Sequence, residues 1–166
     1  GSVRQLCASA EAAARRLGYT PVVLTSCLRC TARDAGSFLA SIAQSHQDFT
    51  SSLAFIAGGE TVVQLTGAGL GGRNQELALA AAQEIAGCKD TAVFSFGSDG
   101  TDGPTDSAGG YCDGGTRAAL AAKSISIPDV LRQNDSYHAL QACGGLIVTG
   151  PTGTNVNDLS VLLIRR

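Results

Sequence analysis

The chain has 166 residues, 44% of them hydrophobic and 16% charged, with a formal net charge of −2. That is enough for one domain with a real core, and too apolar for a disordered chain. The near-neutral charge gives no general attraction to nucleic acid or an anionic membrane, and no apolar run approaches the ~20 residues of a membrane span.

Gly1-Ser2 is set aside, and no signal-peptide pattern follows it. Val3 to Leu17 reads as an amphipathic helix with Leu6, Ala10, Ala13 and Leu17 on one face and Gly18 as its stop. Thr20 to Ser26 is a short buried strand, and Thr31 to Gln47 a second helix with Ala35, Phe38, Leu39 and Ile42 inward. Leu53 to Ala57 and Thr61 to Leu65 read as a hairpin turned at Gly58-Gly59. Gln75 to Ala86 is a helix with Leu77, Ala81 and Ile85 inward, Asn74 as its N-cap and Glu76 at its positive end. Thr91 to Phe96 is a buried strand, Gly110 to Cys112 a short one, and Thr116 to Lys123 a helix. Pro128 starts a further helical piece, Asn134-Asp135-Ser136 caps another through Cys143, and Gly145 to Val148 and Leu159 to Ile164 are strands. Helices alternate with strands, so the expected fold is α/β: a layered α/β/α domain over residues 1–166, with a mixed, mostly parallel sheet and at least one hairpin.

The six cysteines lie mostly in helical or extended runs, and a chain of this length needs no staples. Reduced thiols in an intracellular protein are expected. Cys27-Leu28-Arg29-Cys30 is a C-x-x-C, but no second one accompanies it and histidine is scarce, so chance spacing outweighs a redox or zinc site. His46 and His138 fall in helical runs with no triad pattern near them and read as structural. No G-x-S-x-G elbow or H-E-x-x-H is present.

The 21 glycines cluster at 67–72, 97–115 and 144–153, which marks three loops. The first, Gly67-Ala68-Gly69-Leu70-Gly71-Gly72-Arg73, stands between an extended run and a helix. Its glycines permit φ > 0 and close approach, the helix start supplies free N–H groups, and Arg73 adds a planar cationic fork. Together they read as an anion site, for phosphate or carboxylate. Gly67, Gly69 and Gly72 spell G-x-G-x-x-G, but a dinucleotide fold requires an acidic residue about 20 positions on at the end of the next strand, and the nearest candidate there, Asp99, lies well beyond that. Gly67 and Gly72 also have P-loop spacing, but Arg73-Asn74 stands where Lys-Ser/Thr belongs. The second loop carries Asp99, Asp102 and Asp106 after a buried strand, where carboxylates suit Mg²⁺. The third, 150–158, offers Thr152, Thr154, Asn155 and Asn157 as neutral donors and acceptors.

Five segments then occur in one order: Gly58-Gly59-Glu60-Thr61, Gly71-Gly72-Arg73-Asn74-Gln75-Glu76, Asp99-Gly100-Thr101-Asp102-Gly103-Pro104-Thr105-Asp106, Asn134-Asp135-Ser136-Tyr137, and Thr149 to Asp158. They closely resemble the C-terminal (MOFRL) domain of the glycerate 2-kinase family, some members of which carry the name hydroxypyruvate reductase. The resemblance covers nearly the whole chain. It implies a kinase that transfers a phosphoryl group from ATP, with Mg²⁺, to D-glycerate, giving 2-phosphoglycerate in a cleft between two α/β domains. The N-terminal domain, with its own lysine, would then be this chain's partner, and the chain alone is expected to be inactive.

By the same resemblance Arg73 is the family's functional arginine, stabilising charge on the transferring phosphate or holding the glycerate carboxylate. Asp99 and Asp102 would act as catalytic groups, holding Mg²⁺ or orienting substrate hydroxyls. Gly71, Gly72, Asn74, Thr154, Asn155 and Asn157 would bind substrate or phosphate oxygens, with Glu60 a weaker candidate. Two other readings stand beside this one: a nicotinamide-dependent hydroxypyruvate reductase, and a non-catalytic domain for assembly or regulation. A cytoplasmic setting is expected, with a mitochondrial one and a homodimer left open.

Overall fold

Short capping side chains and apolar periodicity set the element boundaries. In the computed structural model, which describes residues 1–166, the order is α1 (Val3–Arg16), β1 (Thr20–Leu28), α2 (Ala32–Ser45), β2 (Leu53–Gly59), α3 (Arg73–Glu84), β3 (Thr91–Gly97), β4 (Gly109–Asp113), α4 (Thr116–Ala121), α5 (Ile127–Gln133), α6 (Ser136–Ala142), β5 (Leu146–Ile147) and β6 (Asp158–Ile164). Ser2, Thr31 and Ser126 cap α1, α2 and α5, each accepting a hydrogen bond from the N–H three residues on. The N-cap of α3 is Gly72 rather than the expected Asn74, and no side chain of the cap residue closes it. No helix is long and apolar enough to cross a membrane.

The six strands form one sheet in the order β1-β2-β6-β3-β4-β5. Only β1 and β2 pair in parallel; β2–β6, β6–β3, β3–β4 and β4–β5 are antiparallel. The sheet is therefore mixed, as expected, but mostly antiparallel rather than mostly parallel. The reason is β6, which inserts between β2 and β3 and runs against both. Its insertion also removes the expected hairpin at Gly58-Gly59. With β1 on one edge and β6 on the other, β2 has no free edge for a returning strand. Residues 61–65 instead cross towards α2, where Val62 makes an isolated parallel bridge with Thr31. The consecutive antiparallel pair is β3 and β4, joined through residues 98–108.

Helices cover both faces, unequally. On one face α1 packs through its own Cys7 against Ile56, Leu159 and Val161 of the sheet. Its expected stripe is only partly covered, and Leu17 is largely exposed. On the other face α2 and α3 lie side by side over Leu53, Phe55, Val93, Leu162 and Ile164, with α5 and α6 beyond α3. Phe38, expected inward, is exposed, whereas Ala35 and Leu39 are buried. Helix α3 is buried on all sides from Asn74 to Ala82, between the sheet and α2, α5 and α6. Its small side chains, Ala78, Ala80, Ala81 and Ala82, allow that enclosure.

Helices α2 and α3 meet closely at Gly36, where an added Cβ would sit 2.3 Å from the Leu77 carbonyl oxygen. Alanine there gains about 1 kcal/mol of helix propensity but forces two packed backbones apart. Overpacking of this kind costs about 1–3 kcal/mol, so the net change is destabilising. Gly36→Ala should lower the urea midpoint with an unchanged m value, measured by equilibrium unfolding.

Candidate functional site

The register places three strand ends in line. Asp158, the first residue of β6, pairs with Gly59 at the end of β2 and with Gly97 at the end of β3. The start of α3 reaches the same end of the sheet, so the loops after β2 and β3 and the one before β6 converge there.

The glycine-rich loop is fastened to its own chain. Thr66 and Gly67 donate their N–H groups to Asn134 Oδ1 (2.7 and 2.8 Å), Gly69 to the Gln133 carbonyl (2.7 Å) and Leu70 to Asp135 Oδ1 (2.9 Å). None of Gly67, Gly69, Gly71 and Gly72 has positive φ. Glycine is needed there because there is no room for a side chain: a Cβ on Gly69 would lie 2.5 Å from the Asp135 Cβ, and one on Gly72 2.4 Å from the Asp102 Cγ. Asn134, in the left-handed region at φ 54°, supplies the anchor, and its Nδ2 donates to Glu76 Oε1 (3.1 Å). The loop thus packs against residues 133–136 instead of cradling a dinucleotide.

The anion at the N-terminus of α3 is also internal. Asp102 is buried, 2% exposed. Its Oδ1 accepts from the N–H and the Nδ2 of Asn74 (both 3.0 Å), and its Oδ2 from the N–H and the Nε2 of Gln75 (both 2.9 Å). Burial pushes its carboxyl above the usual carboxylate range, while those four donors pull it back down. Both oxygens are engaged, so Asp102 is neither a free catalytic group nor a free metal ligand, which corrects both expectations. Asn74 is likewise buried, with its Oδ1 accepting from the Ser95 hydroxyl (2.6 Å), and does not face a ligand.

Arg73, in the first turn of α3, leaves this buried cluster and turns to the cleft. Asp158 grips it at two points, Nε–Oδ2 at 2.5 Å and Nη2–Oδ1 at 3.1 Å. Glu60 Oε1 lies 3.4 Å from Nη2. The hydrogen bond and charge of Asp158 outweigh burial and raise the guanidinium pKa, so the cation is permanent. Nη1 takes no part in these bonds and remains for a ligand. The Asp158 side chain is 6% exposed and fixes the fork, whereas that of Glu60, at 57%, is a loose counter-ion.

The cleft beside Arg73 has a volume of about 540 Å³. Of the expected residues, Glu60, Gly71, Gly72 and Arg73 line it, together with Thr61, Glu76, Asn134, Ser136 and the Gly103-Pro104 turn. Thr61 Oγ1, on its wall, is buried with no hydrogen-bond partner. Glu76 is buried against Arg33, 3.5 Å away, and Asn134. Asp158, Thr61 and the Glu76–Arg33 pair are what the sequence reading missed as site residues. Thr61, Glu76 and Asp158 each had the same signal, closing one of the five ordered segments, whereas Arg33 lies outside all of them.

The remaining expected residues lie outside the cleft lining. Asp99 Oδ1 caps its own turn through the Thr101 N–H (3.0 Å). Thr154, Asn155 and Asn157 are exposed on the third loop, and Asn155 Oδ1 accepts from the Asn157 N–H (3.2 Å). That loop is nonetheless joined to the second: the Val156 N–H donates to Ser98 Oγ (2.7 Å), the Thr152 N–H to the Asp99 carbonyl (3.2 Å) and the Ser98 N–H to the Asn157 carbonyl (3.0 Å). Mg²⁺ on Asp99 and Asp102 does not fit this arrangement, since one carboxylate is fully hydrogen-bonded and the other serves a turn.

Removing the Asp102 carboxylate would strand two buried backbone N–H groups and two side-chain amides, each unmet buried group costing about 1–3 kcal/mol. Asp102→Ala should lower the thermal midpoint by at least about 8 °C, taking the low end of that cost for four groups and about 2 °C per kcal/mol for a domain of this size. Differential scanning calorimetry checks this, and an unchanged midpoint would show that the carboxylate does not hold the helix start.

Comparisons with known proteins give the family and the fold. The MOFRL family pattern matches residues 53–158. The chain is 47% identical to D-glycerate 2-kinase of Thermotoga maritima, over 99% of this chain and 40% of that protein. It is 42% identical to glycerate 2-kinase of Pyrococcus horikoshii, over 95% of this chain and 37% of that protein. A relative from Agrobacterium vitis, 38% identical over 94% of this chain and 42% of its own length, carries a provisional hydroxypyruvate reductase name. A crystal structure of the Thermotoga maritima glycerate kinase superposes with a TM-score of 0.95 at 48% identity, covering 99% of this chain and 41% of that one. The chain therefore spans about 40% of the length of these relatives. With a matching pattern across most of its length and the same fold, the chain belongs to the MOFRL family.

Proposed function

We propose that this chain forms one wall of the active site of a glycerate kinase. A phosphoryl group passes there from ATP to a hydroxyl of D-glycerate, giving 2-phosphoglycerate. The observation that carries this reading is Arg73, fixed by Asp158 at the edge of a polar cleft. It sits in a chain 47% identical to a protein named D-glycerate 2-kinase.

Phosphoryl transfer asks little covalent chemistry of a protein and much positioning and charge stabilisation. Arg73 answers that need. Asp158 removes its rotamer freedom before any ligand arrives, so little entropy is lost on binding. An incoming carboxylate or phosphoryl group takes the Nη1 edge and displaces the loosely held Glu60. The buried Thr61 hydroxyl and the polar wall of Asn134 and Ser136 fit a small polyhydroxylated anion better than an apolar one. Thr154, Asn155 and Asn157, exposed at the same end of the sheet, face a second domain of the longer polypeptide, which supplies the nucleotide and metal contacts absent from this wall. The isolated chain is inactive on this reading. A cytoplasmic setting with reduced thiols goes with it. The nicotinamide reading loses its main support, because the glycines that suggested it are taken up by packing against residues 133–136.

The test is a coupled assay on the longer kinase with D-glycerate, ATP and Mg²⁺, following ADP release. Arg73→Ala should lower kcat by about 10²–10³ in protein that still unfolds cooperatively, the scale for losing one charge-stabilising donor, with a lower melting midpoint because the buried Asp158 carboxylate loses its partner. Equal kinetics in variant and parent would rule out the role of Arg73. Absence of ADP release from the parent, with NADH oxidation on hydroxypyruvate, would overturn the kinase reading itself.

A further inference from the structure

We propose that Cys27 and Cys30 form a reversible disulfide whose closure releases the cleft wall at residues 60–62. The inference rests on backbone connectivity and stands apart from the kinase reading.

Both thiols are free and exposed, whereas Cys7 and Cys112 are buried. The pair sits at the carboxyl end of β1, an edge strand, just before the α2 cap Thr31. Pairing is irregular there: Thr25 stands opposite Ala57 but Leu28 opposite Gly59, so β1 holds an extra residue. The chain then bends at Cys30. β1 ends at Leu28, so Cys27 lies on the strand and Cys30 beyond it, and three steps of extended backbone span roughly 10 Å. A disulfide needs Cα atoms within roughly 4.4–6.8 Å, so oxidation must fold Leu28-Arg29 into a turn.

Those same residues hold the cleft wall. The Leu28 carbonyl accepts from the Glu60 N–H (2.8 Å), and the Cys30 carbonyl from the Val62 N–H (3.2 Å). The Leu28 backbone also presses on Gly59, where a Cβ would lie 2.3 Å from the Leu28 oxygen. A turn at 28–29 redirects both carbonyls, frees residues 60–62 and draws Glu60 away from Arg73, 3.4 Å distant in the reduced form. The bistable element is the 28–30 segment, and its two states are dithiol and disulfide.

The oxidant is a low-molecular-weight disulfide such as oxidised glutathione. One cysteine thiolate attacks a glutathione sulfur, the glutathione S–S bond breaks, and one glutathione leaves as thiolate. The second cysteine thiolate attacks the mixed disulfide at the protein sulfur and expels the other glutathione. Two electrons pass from the cysteine pair to glutathione, and the two thiol protons end on the two released glutathione molecules.

The experiment treats the chain with oxidised glutathione, maps the thiols by peptide mass and follows amide hydrogen exchange. The expected result is loss of two hydrogens in the peptide holding both cysteines, no retained glutathione, and exchange at the Glu60 and Val62 amides faster by about tenfold or more. Dithiothreitol should reverse all three. Cys27→Ser should keep glutathione on Cys30 and leave the two amides at their reduced rates. Cys30→Ser takes its place if Cys27→Ser disturbs the reduced state. Glutathione retained on both cysteines of the unmutated chain, or an internal disulfide with unchanged exchange at Glu60 and Val62, would overturn the proposal.

Discussion

The carboxylate of Asp102 under the first turn of α3 is the constraint on which the site depends. A helix start exposes N–H groups and a partial positive charge that demand an anion. Here the chain supplies its own, from a loop 28 residues away in sequence. That choice ties the acidic loop to the helix and brings Gly72 against Asp102 with no room for a side chain. It also leaves the outer side of the first turn, at Arg73, to meet the cleft. From Asp102 a buried line of polar groups continues through Asn74 to Ser95 and Ser160 in the centre of the sheet. Such a network holds one arrangement firmly when its members are satisfied, because a lost partner in a low dielectric is costly.

The second constraint is the place of β6. Running between β2 and β3, it brings its first residue, Asp158, level with the last residues of both neighbours. A carboxylate at that point is close to the end of β2, the end of β3 and the start of α3 at once. It therefore grips Arg73 from the sheet while α3 presents the guanidinium from above. The arginine is held by two elements far apart in sequence, and its direction is decided before a ligand binds. Glu60, the next residue after β2, completes the group as a solvent-exposed counter-ion that an incoming anion can replace.

The glycine-rich loop illustrates how one local pattern serves different ends. Its spacing suits a phosphate cradle, and its position between an extended run and a helix suits one too. In the fold the N–H groups of residues 66, 67, 69 and 70 are spent on Asn134, Gln133 and Asp135. Close approach is required in both cases, so glycine is required in both. The atom that approaches, a ligand oxygen or the chain's own backbone, is set by residues some 65 positions away. The same holds for α3: alanine-rich helices are common at surfaces, and only its position between the sheet and α2, α5 and α6 makes it a buried one.

By itself the sequence determined most element types, the layered α/β class, the glycine-marked loops and the place of Arg73 at a helix start. These follow from local periodicity, capping side chains and glycine clusters, all of which act within a few residues. The five ordered segments carried the family resemblance. Tertiary structure alone decided the antiparallel majority of the sheet, the absence of a strand at 61–65, the retirement of Asp102 and Asn74 into a buried network, and the pairing of Arg73 with Asp158. Each depends on which distant strand occupies an edge, or which distant carboxylate reaches a helix start. Local propensity carries no information about either, because the decisive contacts join residues from 27 to 111 positions apart.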